Sequence, residues 1–179
     1  MTEYIKVPLE RIAVLVGPKG STKELIEEKS TATLNIDSDS GNVEIQDPRD
    51  TLKGVRAREV VHAIARGFSP EKALKLFDNE DLMFETIDLS NIAREEKDLE
   101  RIKGRIIGSD GKTRDFFENL TNTNISVYGK TVSLIGYPEQ NAVVRKGIDM
   151  LLKGAAHGLV YKFLEKNRSE LKQSEMGLY

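Results

Sequence analysis

The feature that most restricts what this chain can fold into is an internal repeat. Val14-Leu15-Val16-Gly17-Pro18-Lys19-Gly20-Ser21-Thr22-Lys23 returns 91 residues later as Arg105-Ile106-Ile107-Gly108-Ser109-Asp110-Gly111-Lys112-Thr113-Arg114. The same register sets Leu25 and Ile26 against Phe116 and Phe117, Glu27 against Glu118, and Ser30 against Thr121. It also sets the alternating Leu34 and Ile36 against Ile125 and Val127. Two glycines alone would carry no weight, but a register held from Val14 to Ile36 means duplication. Two copies with several elements each make two similar domains, not a solenoid.

Both copies give one order of elements, strand-helix-helix-strand-strand-helix. In the first, Tyr4 to Val7 reads as a strand, Leu9 to Val16 as a helix, Gly17 to Gly20 as a break, and Thr22 to Lys29 as a second helix. Thr33 to Asp37 alternates as a strand, and the run from Asp37 to Asn42 is a turn-rich loop. Val43 to Gln46 returns as a strand, followed by a long amphipathic helix from Thr51 to Phe68. The second copy repeats this with a strand from Met83 to Leu89 and helices near Leu99 to Ile107 and Thr113 to Leu120. Strands from Asn124 to Tyr128 and Thr131 to Ile135 and a helix from Glu139 to Lys153 complete it. Ser69-Pro70-Glu71 predicts an N-cap with proline in the first turn of a linker helix through Phe77, and His157 to Leu171 predicts an additional helix. The expected fold is α+β, two three-stranded antiparallel sheets each packed by helices. The expected domains are residues 1–68, a linker at 69–81, and 82–179 including the C-terminal helical extension.

Composition narrows the chemistry. The chain has no cysteine and only two histidines, His62 and His157, so disulfides and thiolate zinc sites are excluded and a histidine metal site has little to draw on. No stretch is apolar enough to span a membrane, and Met1-Thr2-Glu3-Tyr4-Ile5-Lys6-Val7 lacks the pattern of a secretion signal, so a cytoplasmic location is expected. A monomer is expected as well. No pair of carboxylates sits in an acid/base motif, which argues against catalysis and leaves no cofactor to expect. Gly111-Lys112-Thr113 matches the end of a nucleotide-binding P-loop, but isoleucine stands at position 106, where the earlier glycine is required. The net charge of −2 is mild for a nucleic-acid binder. The charges are uneven, however: Lys103, Arg105, Lys112 and Arg114 fall close together, whereas Asp78, Glu80 and Asp81 form acidic surface elsewhere.

The glycine turns supply the functional reading. A tight turn between two helices aims backbone N–H groups and the positive end of the second helix at one anion, and glycines remove the Cβ atoms that would hold a phosphate off. Gly17, Pro18, Lys19 and Gly20, with Lys23, form one candidate grip. Gly108, Ser109, Asp110 and Gly111, with Arg105, Lys112 and Arg114, form the other. An apolar floor beside the turn, from Ile106, Ile107 and Ile125 or their counterparts Leu15, Val16 and Leu34, would take unstacked bases while a strand edge sorts them. Single-stranded nucleic acid fits such a slot. Pro18 removes a donor from the first loop and Asp110 places a negative charge in the second.

The order helix, Gly-x-x-Gly, helix, alternating strand, variable loop, strand and helix resembles the type I KH domain. Gly104-Arg105-Ile106-Ile107-Gly108-Ser109-Asp110-Gly111-Lys112-Thr113 is close to its core signature. The whole chain, including the tail from His157 to Glu165, resembles the archaeal branch of the pre-ribosomal factor family called Dim-two or Partner of Nob-one. That resemblance implies two tandem KH domains and binding to the 3′ end of small-subunit ribosomal RNA during ribosome biogenesis and rRNA processing. It also implies association with the nuclease that trims that end and with the alpha subunit of translation initiation factor two. Two rival readings stand beside it: a protein-interaction scaffold for translation or assembly factors, which the acidic balance and Pro18 favour, and a KH adaptor for an RNA-degrading complex.

Overall fold

The computed structural model describes residues 1–175. The chain divides into two compact units, Met1–Phe84 and Glu85–Tyr179. The first unit runs β1 (Thr2–Lys6), α1 (Leu9–Val16), a single 3-10 turn at Pro18–Gly20, α2 (Ser21–Ser30), β2 (Thr33–Ile36), β3 (Asn42–Gln46), α3 (Leu52–Ala65) and α4 (Pro70–Asp78). The second runs from β4 (Met83–Asp88), which begins at the boundary, through α5 (Glu96–Ile107) and a 3-10 turn at Ser109–Gly111. It continues with α6 (Lys112–Thr121), β5 (Asn124–Tyr128), β6 (Thr131–Gly136), α7 (Pro138–Leu152) and α8 (His157–Glu175). The strands make two three-stranded sheets ordered β1-β3-β2 and β4-β6-β5, with β3 antiparallel to both its neighbours and β5 antiparallel to β6.

The repeat in sequence is a repeat in packing. On α2 the buried residues are Thr22, Ile26 and Ser30, and on α6 they are Thr113, Phe117 and Thr121, one stripe at i, i+4, i+8 in each copy. The last hydroxyl of each stripe donates to the carbonyl four residues back, Ser30 to Ile26 at 2.6 Å and Thr121 to Phe117 at 2.7 Å. Both helices then stop at a left-handed residue, Thr31 or Asn122. Glu27 accepts the Leu34 N–H at 2.9 Å and Glu118 accepts the Ile125 N–H at 3.1 Å, tying each second helix to the strand that follows.

The register slips beyond that point. Leu34 pairs with Ile45 and Ile125 with Leu134, so the return strands correspond at 89 residues, not 91. The last helices correspond at 87. α3 ends with the Gly67 N–H on Ile64 and Phe68 on Ala63, and α7 ends with Gly154 on Leu151 and Ala155 on Met150. The helix after each end, α4 or α8, therefore occupies the same place in its own repeat. Ser69 caps α4 as the sequence predicts. This helix buries Ala73 and Leu76 and is part of the first compact unit, so the segment expected as a linker is the first unit's fourth helix. Its partner α8 buries Val160 and Leu164 in the second unit's core. His62, exposed on α3, stacks on Phe84 with ring centroids 6.5 Å apart.

Candidate nucleic-acid interface

The two glycine turns have the same backbone. Gly17 lies at φ 75°, ψ 173° and Gly108 at φ 75°, ψ 174°. Lys19 and Asp110 both sit in the left-handed region, at φ 54° and 55°, and Gly20 and Gly111 follow at φ 77° and 76°. The first glycine of each pair is in a region open only to glycine, and a Cβ there would lie 2.3 Å from Thr22 Oγ1 or 2.2 Å from Thr113 Oγ1. The amides of these glycines are used inside the turn: Gly17 and Gly108 close the preceding helix, and Gly20 and Gly111 bond back to Gly17 and Gly108. The backbone is thus set by the fold before any ligand arrives.

The expected site residues separate into three groups. Pro18, Lys19, Ser109, Asp110 and Lys112 are exposed on or beside the turns. Lys23 and Arg114 are half-exposed, and each has a long contact of 3.8 Å to the glutamate that holds the strand, Glu27 or Glu118. Arg105 and Ile125 are directed elsewhere. The Arg105 guanidinium donates to the carbonyls of Leu151 and Ala155 at the end of α7, and of the expected floor Ile106 and Ile125, like Leu15 and Leu34 in the first unit, are buried in the core, leaving half-buried Ile107 and Val16. Because the Leu34 and Ile125 N–H groups face the second helix, strand alternation turns the polar groups of Ile36 and Val127 to the same open edge.

The surroundings of the two strand edges differ. In the first unit a hollow of about 500 Å³ is lined by Tyr4, Lys23, Asn35, Ile36, Asp37 and Glu44. Its carboxylates are held as anions. The Ser40 hydroxyl, with the backbone amides of Asp39 and Ser40, lowers the Asp37 pKa, and the side-chain amides of Asn35 and Gln46 lower that of Glu44. In the second unit the corresponding positions are Tyr128 and Ser133, without a carboxylate.

Sequence reasoning did not assign a hollow of about 440 Å³ beside the second turn, lined in part by Arg101, Ser109, Lys112, His157 and Tyr161. His157 Nε2 lies 3.0 Å from the Arg105 carbonyl, and the Tyr161 hydroxyl lies 2.9 Å from Thr113 Oγ1 with its ring on Phe116. The spacing of Arg101 to His157 in the chain hides this grouping, since α8 brings it together only on folding. Among the described residues no cluster of potential metal ligands occurs, and no helix is long and apolar enough to cross a membrane.

Comparison with known proteins agrees with this architecture. Residues 83–169 match the model of a eukaryotic-type KH domain, KH-domain type I, specific to the second such domain of PNO1. A KH domain-containing protein of Methanocaldococcus jannaschii is 42% identical, over 99% of this chain and 78% of its own length. The pre-rRNA-processing protein PNO1 of Chaetomium thermophilum is 29% identical, over 96% of this chain and 68% of its own. The Dim2p chain in the crystal structure of an a/eIF2alpha–aDim2p–rRNA complex from Pyrococcus horikoshii superposes with a TM-score of 0.87 at 42% identity, covering 95% of each chain. With identity at this level along nearly its full length, and the Gly-x-x-Gly turn of a type I KH domain in the matched region, the chain belongs to the PNO1/Dim2 family of KH-domain proteins.

Proposed function

We propose that the protein is a non-enzymatic RNA-binding factor of small-subunit ribosome maturation. Its two units act as tandem type I KH modules, and the second leads in gripping single-stranded rRNA near its 3′ end. The observation that carries this reading is the Gly108–Gly111 turn: a fixed backbone at the start of α6, with Lys112 in the first turn, beside a strand edge where Tyr128 and Ser133 replace the Asp37 and Glu44 of the first unit. A phosphate placed there meets a helix N-terminus and a cation, and the open edge at Val127 is left to sort bases. The relative from P. horikoshii was crystallised with rRNA and a/eIF2alpha, which supports both RNA and the alpha subunit of initiation factor two as partners here.

The first unit carries the same turn but is the weaker binder in this reading. Pro18 lacks an N–H, Asp37 and Glu44 stand at its strand edge, and its residues total twelve basic against fifteen acidic, net −3. The second has fifteen against fourteen, net +1. The difference also favours the first unit as a protein-docking surface.

The test is binding of a labelled single-stranded oligonucleotide copying the rRNA 3′ end, against a scrambled control. Substitutions of Gly17 or Gly108 would test folding, because any side chain there meets Thr22 or Thr113. Ser109→Asp and Lys19→Asp keep the glycines, and aspartate already occupies the left-handed position in the second turn. Ser109→Asp is expected to weaken binding about tenfold or more with the thermal melt unchanged, and Lys19→Asp to weaken it less. If neither substitution weakens binding and the wild type shows no preference for the authentic sequence, the groove reading fails.

A further inference from the structure

We propose that the second unit holds a second RNA-phosphate site, in the hollow between the Gly108–Gly111 turn and α8, which takes the strand where it leaves the KH groove. This inference rests on the RNA-binding reading above. Its basis is the comparison of the two repeats position by position.

The hollow of about 440 Å³ is lined by Arg101 and Arg105 of α5, Ser109 of the turn, Lys112 at the start of α6, and His157 and Tyr161 at the start of α8. Two helices thus begin at its rim, and its lining contains no carboxylate. The acidic group in contact with Arg101 is Asp98, at 3.9 Å, with both side chains more than half exposed, an arrangement that leaves the guanidinium largely available. Arg105 is a positioning residue: it holds the end of α7 and with it the entry into α8. His157 does the same from the other side through the Arg105 carbonyl.

The first repeat has the same framework without these donors. At the 91-residue register Arg101 answers to Glu10, Ser109 to Pro18 and Lys112 to Ser21; at the 87-residue register of the last two helices, His157 answers to Pro70 and Tyr161 to Leu74. Five polar side chains, two of them cations, are replaced by an acid, two prolines, a serine and a leucine. Packing accounts for His157 and Tyr161, which bond to the Arg105 carbonyl and to Thr113, but not for Arg101, Ser109 and Lys112, which are exposed. A site for anions on one repeat only explains it, and the anion that reaches this place is the backbone of an RNA already seated in the adjacent turn.

The experiment compares a four-nucleotide and an eight-nucleotide single strand of the same 3′-end sequence on the full chain. A KH groove is filled by four nucleotides, so only the longer strand reaches the hollow. Arg101→Glu copies the residue of the first repeat at an exposed position. It is expected to leave the tetranucleotide within about twofold of wild type and to weaken the octanucleotide roughly fivefold to tenfold, with the slope of log affinity against log salt reduced by about 0.7. Arg101→Lys should restore most of the affinity, since a phosphate accepts a point charge. Equal losses on both lengths, or none on the octanucleotide, would overturn the site. Arg114→Glu, on the groove side of the turn and outside the lining of the hollow, separates the two readings. Loss with Arg114→Glu but not Arg101→Glu removes the hollow and keeps the groove, whereas loss of the octanucleotide with Arg101→Glu alone removes the groove and keeps a phosphate in the hollow.

Discussion

Arg105 donates through its guanidinium to the carbonyl of Ala155, closing the end of α7 onto α5, and Arg11 does the same in the first unit by bonding Phe68 at 2.7 Å and Ile64 at 2.8 Å. The acceptors correspond at 87 residues, but the arginines are 94 apart, one helical turn out of the register of their helices. Each repeat thus neutralises the negative end of its long helix with a cation from a different turn of its first helix.

Removing either arginine should therefore show as lost stability. Arg11→Ala and Arg105→Ala each leave two carbonyls of a helix end without their charged donor, at a cost of about 2–4 kcal/mol. Lysine should recover less than half, because one ammonium cannot reproduce the planar fork that reaches both carbonyls. Urea unfolding at constant slope checks this; a loss under about 0.5 kcal/mol for both would contradict it.

A second consequence concerns the exchange of volume between the repeats. Phe117 of α6 stands where α2 has Ile26, and Gly147 of α7 stands where α3 has Val60. A Cβ on Gly147 would lie 2.6 Å from the Phe117 ring, so the glycine makes room for it. Gly147→Val alone should cost more than about 2 kcal/mol by overpacking, although valine is the better helix former, and Phe117→Ile alone should cost about 1–2 kcal/mol by leaving a void. The double substitution reconstructs the pair of the first repeat and should be less destabilised than the sum. Strict additivity in the double-mutant cycle would show that the two residues do not share the space.

Acid should act on the first unit through Asp47. Its side chain is almost fully covered, and that burial, the largest influence, pushes its pKa up. The amides of Thr51 at 2.6 Å and Arg49 at 3.0 Å, with the N-terminal ammonium, outweigh burial and leave it below the ordinary 3.8. A carboxyl with a depressed folded pKa contributes stability above its unfolded pKa and loses it as pH falls through the folded one. The difference in unfolding midpoint between wild type and Asp47→Asn should be greatest near neutrality and shrink progressively below pH 3.8. A difference that stays constant down to strong acid would remove Asp47 from the pH response.

What the sequence determined by itself is the part carried by local chemistry and held in one register. Glycines that alone permit the turns, apolar residues at i and i+4, the strand alternation, and the Ser69-Pro70 start of a helix each act within a few residues, so the elements could be placed and the two turns matched across 91 positions. The tertiary structure decided what depends on residues distant in the chain. The register shortens to 89 and then 87 as the connections around the return strand lose residues, which hides the correspondence of α4 with α8. The Arg105 side chain, basic and next to the turn in sequence, goes to a helix end fifty residues on because the carbonyls there, at the negative end of α7, attract it more strongly than solvent does. Ile125 enters the core because its strand face is the one the helices cover. The gathering of Arg101, Lys112, His157 and Tyr161 around one hollow follows from where α8 packs, and packing is set by the summed burial of Val160 and Leu164, not by any spacing a linear pattern displays.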